Sequence, residues 1–201
     1  ALSLYQFSQV RLGQHQCEEA IALVKRAIKL DATKAEYFTH LGHVYAAQLE
    51  DSPDGFLIDK IRKAMEQALK VDPNHVPALV GLARCYATPA PGVPASYKKA
   101  KEYALRAAAL DTFQGELELG RLDISVKEPQ SALAHYQKAL QAKPDDPIVH
   151  YSIGIALMQL ERRAEAKAEL QTAVKLSATP FKDAQEALKT IDEASATKPG
   201  K

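Results

Sequence analysis

Apolar residues return at helical spacing through almost the whole chain, and two patterns alternate. One sets an apolar or small residue, another four positions on, and an alanine three beyond that. It reads Ala20, Val24, Ala27, then Ile61, Met65, Ala68, then Ala100, Ala104, Ala107, then Ala132, Tyr136, Ala139, and last Ala166, Leu170, Ala173. Steps of four and three place these side chains on one stripe of a helix. The first four stretches are followed by Asp31, Asp72-Pro73, Asp111 and Pro144, each placed to stop the helix, and the fifth by Ser177. The other pattern precedes each of these. It is plainest as Phe38, Leu41, Gly42, Tyr45, and recurs as Leu79, Leu82, Ala83, Tyr86 and as His150, Ile153, Gly154, Leu157. The fourth copy keeps Leu119-Gly120 but has Glu116 and Asp123 at its outer positions, and the first is the weakest, with Leu4, Phe7, Ser8 and Arg11. With β-branched runs scarce, the chain reads as paired helices from end to end.

The spacing locates the departures from regularity. From the small residue of the first pattern to the last alanine of the second, the first, fourth and fifth copies span the same stretch: Ser8 to Ala27, Gly120 to Ala139, Gly154 to Ala173. The second copy (Gly42 to Ala68) is seven residues longer and the third (Ala83 to Ala107) five longer. The surplus falls where turn residues cluster, which predicts inserted loops over 49–56 and 88–95. The link from Ala107 to Gly120 is shorter than its counterparts, which predicts a tight joint. The expected organisation is one domain over 1–196, with hairpins at about 1–34, 35–75, 76–112, 113–146 and 147–180 and a capping helix over 181–193, where Phe181, Ala184, Leu188 and Ile191 share a face. A disordered tail is expected over 197–201.

Phe38-x2-Leu41-Gly42-x2-Tyr45 and the second-helix spacing seen in Ala132-x3-Tyr136-x2-Ala139 resemble the tetratricopeptide repeat, with Phe in place of its Trp. The resemblance implies an all-α, right-handed α-solenoid of five helical hairpins with a C-terminal capping helix. It also implies a concave groove lined by the first helix of each pair. Carried over position by position, the groove residues are Tyr5, Gln9, His43, Val80, Arg84, Leu117, Arg121, Tyr151, Ile155 and Met158. With Ile124 and Ile148 the last third of that surface is apolar, while Arg84 and Arg121 lie one repeat apart. A peptide or helix carrying apolar and acidic residues would complement it. The heat-shock chaperone carboxylate clamp is not expected, because its positions are held by Tyr5, Gln9, His40, Pro77 and Gly81.

Composition narrows the function classes. Lys plus Arg number 26 against 25 Asp plus Glu, so no charge excess draws the chain to nucleic acid or an anionic membrane. No apolar run approaches a membrane span. Cys17 and Cys85 suggest no disulfide framework, which fits a cytoplasmic home. The chain lacks both an initiator Met and a signal peptide, so a processed form or a segment of a longer protein is expected. There is no Gly-rich phosphate loop and no nucleophile elbow, so no enzyme activity and no cofactor are expected. His40 and His43 share a helix face, yet two ligands do not make a metal site. The expected function is protein interaction, as scaffold, adaptor or assembly factor. The alternatives are a self-associating scaffold and a regulatory domain of a larger protein.

Overall fold

A computed structural model describes residues 1–51, 54–89 and 94–196. These form eleven α-helices and no strand. The chain divides into two compact units, Ala1–Leu110 and Asp111–Lys201. The first holds α1 (Leu2–Gly13), α2 (Cys17–Leu30), α3 (Ala35–Asp51), α4 (Gly55–Val71), α5 (Val76–Ala87) and α6 (Tyr97–Leu110). The second holds α7 (Thr112–Ser125), α8 (Pro129–Ala142), α9 (Pro147–Gln159), α10 (Arg163–Leu176) and α11 (Lys182–Ala196). Among the described residues of each unit every helix packs on the one before it and the one after it, and beyond those contacts only α1 with α3, α3 with α5 and α7 with α9 touch appreciably.

The alanine stripes are the seams of this packing. Ala20, Ala27, Ala68, Ala100, Ala107, Ala139, Ala166 and Ala173 are all fully buried, because a methyl side chain lets two helices approach closely. The glycines of the first helices serve the same end. A Cβ on Gly120 would land in the ring of Tyr136, and one on Gly154 would come within 2.7 Å of Leu170.

The three hairpins of equal span share one turn. His15, Lys127 and Glu161 each adopt a left-handed backbone, with φ of 58, 64 and 59°. The residue after each, Gln16, Glu128 or Arg162, donates its N–H across the turn to Arg11, Asp123 or Leu157 at 2.9 Å. This is the Schellman closure of a helix C-terminus, here with no glycine at the left-handed position. The same residues, Gln16, Glu128 and Arg162, are the N-caps of the next helices.

The expected insert over 49–56 takes a different form. Leu49 to Asp51 continue α3, and Gly55 and Phe56 open α4, so both helices reach 17 residues. Burial of Leu57 and packing of Leu49 on the same cluster favour extended helix over loop. In the second insert, Thr88, Pro89, Pro94 and Ala95 lie between helices, and 90–93 lie outside the described residues. The short link also has a simple form: Asp111 alone separates α6 from α7, and its carboxylate accepts from the Gln114 N–H at 2.9 Å to cap the new helix. The last helix starts at Lys182 and buries Ala184 and Ile191 against the core of the second unit. The tail expected over 197–201 lies outside the described residues.

Candidate functional site

In the second unit, local sequence fixes which face of α9 meets solvent. The Asp146 carboxylate accepts from the N–H groups of Ile148 (2.9 Å) and Val149 (3.2 Å), and Pro147 supplies the preset first residue. Val149, Ile153, Ala156 and Leu157 then turn into the core. Ile148, Tyr151 and Ile155 fall on another face, three and four residues apart. Arg121 and Ile124 of α7, Tyr136 of α8, Ser152 of α9, Phe181 just before α11 and Asp183 in its first turn complete the walls of a cleft of about 350 Å³. Tyr151 and Phe181 stack in a tilted arrangement, with ring centroids 5.1 Å apart.

The charges of the cleft are few and placed. Arg121 is about one-third exposed, and its Nη1 lies 3.4 Å from an oxygen of Glu118, whose side chain is almost wholly buried. A guanidinium held in this way neutralises a buried carboxylate and still presents N–H donors to the cleft. The Tyr136 phenol is held well above its ordinary pKa by burial, with Glu118 and Asp123 adding to the shift against the opposing pull of Arg121. Burial also raises the Tyr151 phenol, helped by Asp183 and Glu186. Both phenols are therefore neutral near pH 7. The cleft can take an apolar side chain and, at Arg121, an anionic group.

The structure brings together some of the sequence-predicted groove residues and not others. Arg121, Tyr151 and Ile155 meet in the cleft. Leu117 is 8% exposed and belongs to the core of the unit, and Met158 packs half-buried on that core. In the first unit, His43 and Arg84 line a smaller recess of about 150 Å³ with Gly42, Gly81, Met65 and Cys85. Burial pushes the Cys85 thiol up to about 11, so it is no nucleophile at neutral pH. Val80 is buried against Leu79 and Ala107. Tyr5 packs on Tyr37 at 4.9 Å and edge-on to His40 at 5.2 Å, while Gln9 is exposed. Sequence reasoning missed Tyr136 and Ser152 as cleft residues, and assigned Phe181 only to the cap. The signal available for Phe181 was its place one residue before α11, where a turn lifts it beside Tyr151.

His40 is a structural residue. Ser8 Oγ donates to the Ala20 carbonyl at 2.8 Å, so the hydroxyl must accept from His40 Nε2–H at 2.9 Å. Burial, with the charge of His43, lowers the His40 pKa to about 4. The ring is a neutral donor tying the first hairpin to the second. Among the described residues no three His, Cys, Asp or Glu side chains are gathered to hold a metal ion.

Comparison with known proteins agrees with this geometry. Residues 124–180 match the tetratricopeptide repeat family. The fold matches the crystal structure of TTC0263, a thermophilic tetratricopeptide protein of Thermus thermophilus, with a TM-score of 0.78 at 16% identity, covering 96% of this chain and 98% of that one. It also matches PilW, a widely conserved type IV pilus biogenesis factor, with a TM-score of 0.75 at 16% identity, over 96% of this chain and 84% of that one. YrrB, a tetratricopeptide protein with an unusual peptide-binding site, matches at a TM-score of 0.55 and 19% identity, over 92% and 90% of the two chains. A comparison with curated protein sequences finds no match. Residues 124–180 are thus tetratricopeptide-repeat sequence, and the chain as a whole shares the fold of tetratricopeptide proteins. Its hairpins are α1–α2, α3–α4, α5–α6, α7–α8 and α9–α10, with α11 closing the last of them.

Proposed function

We propose that the chain is a protein-interaction module, serving as scaffold, adaptor or assembly factor, whose second unit takes up a partner segment in the cleft between α7, α9 and the start of α11. Tetratricopeptide-repeat proteins as a class hold other proteins and are generally not enzymes, which is the background to this reading. The observation that carries it is the make-up of the cleft, where solvent-facing Ile148, Tyr151 and Ile155 stand beside a partly exposed Arg121. An apolar surface kept open in a stable fold points to a ligand. The occupant it suits is an extended or helical segment with an apolar anchor and a nearby carboxylate. That Cys17 and Cys85 form no disulfide suits a reducing compartment, and on that ground the cytoplasm is the location we propose.

The test is selection from a random peptide display library on the immobilised chain, followed by titration of the selected peptides against Ile148→Glu/Tyr151→Ala. Selected peptides should be rich in apolar and acidic residues and lose at least about tenfold in affinity for the double variant, since a buried anchor contact carries about 1.4 kcal/mol or more. Equal affinity for both proteins would remove the cleft from the reading. A second reading, self-association, is favoured by α1, where Leu2, Phe7 and Val10 are each more than half exposed. Sedimentation at increasing concentration decides it, and a monomer throughout ends it.

A further inference from the structure

The first unit carries a different surface, between α2, α3 and α4, that the proposed cleft does not use. Its recess of about 320 Å³ has an apolar floor of Ile28, Phe38, Leu41 and Tyr45, and three lysines, Lys25, Lys60 and Lys63, line it as well. The Nζ atoms of Lys25 and Lys60 lie 5.7 and 5.8 Å from the centre of the same Tyr45 ring. Two ammonium groups thus attend one ring, and neither forms an ion pair with a described carboxylate. Lys63 does have a partner, Asp59, at 2.7 Å, and Asp59 also receives Arg62. Among the described residues no carboxylate lines the recess.

This arrangement is unfavourable in isolation. Lys25 and Lys60 bring two like charges to one ring with no described carboxylate paired to either, and these repel; a net charge of only +1 for the whole chain makes the local excess notable. Long lysine stems laid over apolar side chains cover part of the floor, while the ammonium heads stay available. An anionic partner would relieve the repulsion, and an apolar side chain of that partner would complete the burial of Phe38 and Leu41.

We propose that this recess is a second docking site, for an acidic protein segment that sets an aromatic or leucine side chain on the Phe38–Leu41–Tyr45 floor and its carboxylates on Lys25 and Lys60. It differs from the cleft of the second unit, where Arg121 is held by Glu118, in that Lys25 and Lys60 lie over one ring without a described carboxylate partner. Occupancy of the two sites is separable by mutation.

The probe is a fluorescein-labelled peptide, Asp-Glu-Asp-Phe-Glu-Asp-Glu, read by anisotropy and by 15N-shift mapping on the full chain. Expected are shifts at Leu41, Tyr45 and Lys60. Affinity should fall about tenfold when Lys25→Gln/Lys60→Gln removes both free charges, and by a similar factor when the peptide's Phe becomes Ser. Raising the salt about tenfold should weaken binding further. Lys25→Glu/Lys60→Glu should abolish it, with thermal melting followed in parallel to show that both variants fold. The proposal is overturned if the peptide does not bind, if the Gln variant binds as well as the parent, or if the Ser peptide binds equally. Shifts at Arg121 and Tyr151 instead would sink this site and leave the cleft reading intact. Binding of phosphatidylglycerol vesicles, without the peptide, would assign the lysines to a lipid surface and equally overturn it.

Discussion

His150 Nδ1 lies 2.7 Å from a carboxylate oxygen of Glu169, joining the two helices of the fifth hairpin. The fourth hairpin has the same contact with the residues exchanged: Glu116 meets His135 at 2.5 Å, and His135 Nε2 reaches toward Asp123 at 3.6 Å. Glu116 and His150 stand where the repeat motif has its tryptophan, so a polar pair replaces an aromatic wedge in both. All four side chains are partly or largely buried, which strengthens the interaction over a surface pair. A double-mutant cycle with His150→Ala and Glu169→Ala should return a coupling of about 1 kcal/mol in urea unfolding. A coupling near zero would mean the pair is incidental.

The left-handed turns predict a gain rather than a loss. A non-glycine residue pays about 1 kcal/mol for that conformation. Lys127→Gly should therefore raise stability by about 0.5 kcal/mol after the added chain entropy of glycine is counted, and His15→Gly and Glu161→Gly should do likewise. Urea midpoints of the three variants check this, and a uniform loss would show that the turns are held by their side chains.

Close packing predicts the opposite sign at Gly120. Its Cβ would meet the rigid, buried ring of Tyr136, so Gly120→Ala should cost about 2 kcal/mol. At Gly42 the obstacle is the flexible end of Met65, so Gly42→Ala should cost less. Gly13→Ala meets nothing within 4 Å and should be neutral or mildly stabilising. Thermal midpoints of the three should rank in that order.

His40 sets a pH dependence. Its native pKa of about 4 lies below the ordinary value of 6.5, so the unfolded chain takes up the proton first as pH falls. The contribution is fully present above about pH 6.5, declines down to about pH 4 and is constant below. Allowing for solvent screening it amounts to about 2 kcal/mol. The slope of unfolding free energy against pH should flatten over that window in His40→Gln, and an unchanged slope would assign the acid sensitivity elsewhere.

Much of the helical scheme could be read from the chain because alanine and glycine spacing reports helix crossings directly: Ala27, Ala68, Ala139 and Ala173 are all sealed. The inserts were legible as surplus residues but not as structure, since the extra turns of α3 and α4 depend on Leu49 and Leu57 finding a core to enter. The three shared turns left no glycine signal, and only the equal spans from Ser8, Gly120 and Gly154 hinted at them. Groove positions were the least legible. A motif position gives the direction in which Leu117 or Val80 leaves its helix, whereas neighbouring side chains decide whether it stays reachable, and both are covered. The pairing of Glu116 with His135 was hidden for a related reason: each looked like a departure from the motif until both were seen together.

The neighbour-to-neighbour packing of helices has a kinetic corollary. Within each unit, native contacts join stretches at most two helices apart along the chain, so assembly requires no distant segments to find each other first. Such a topology places the polypeptide among the fast folders, with any one helical pair able to act as a seed on which its neighbours condense.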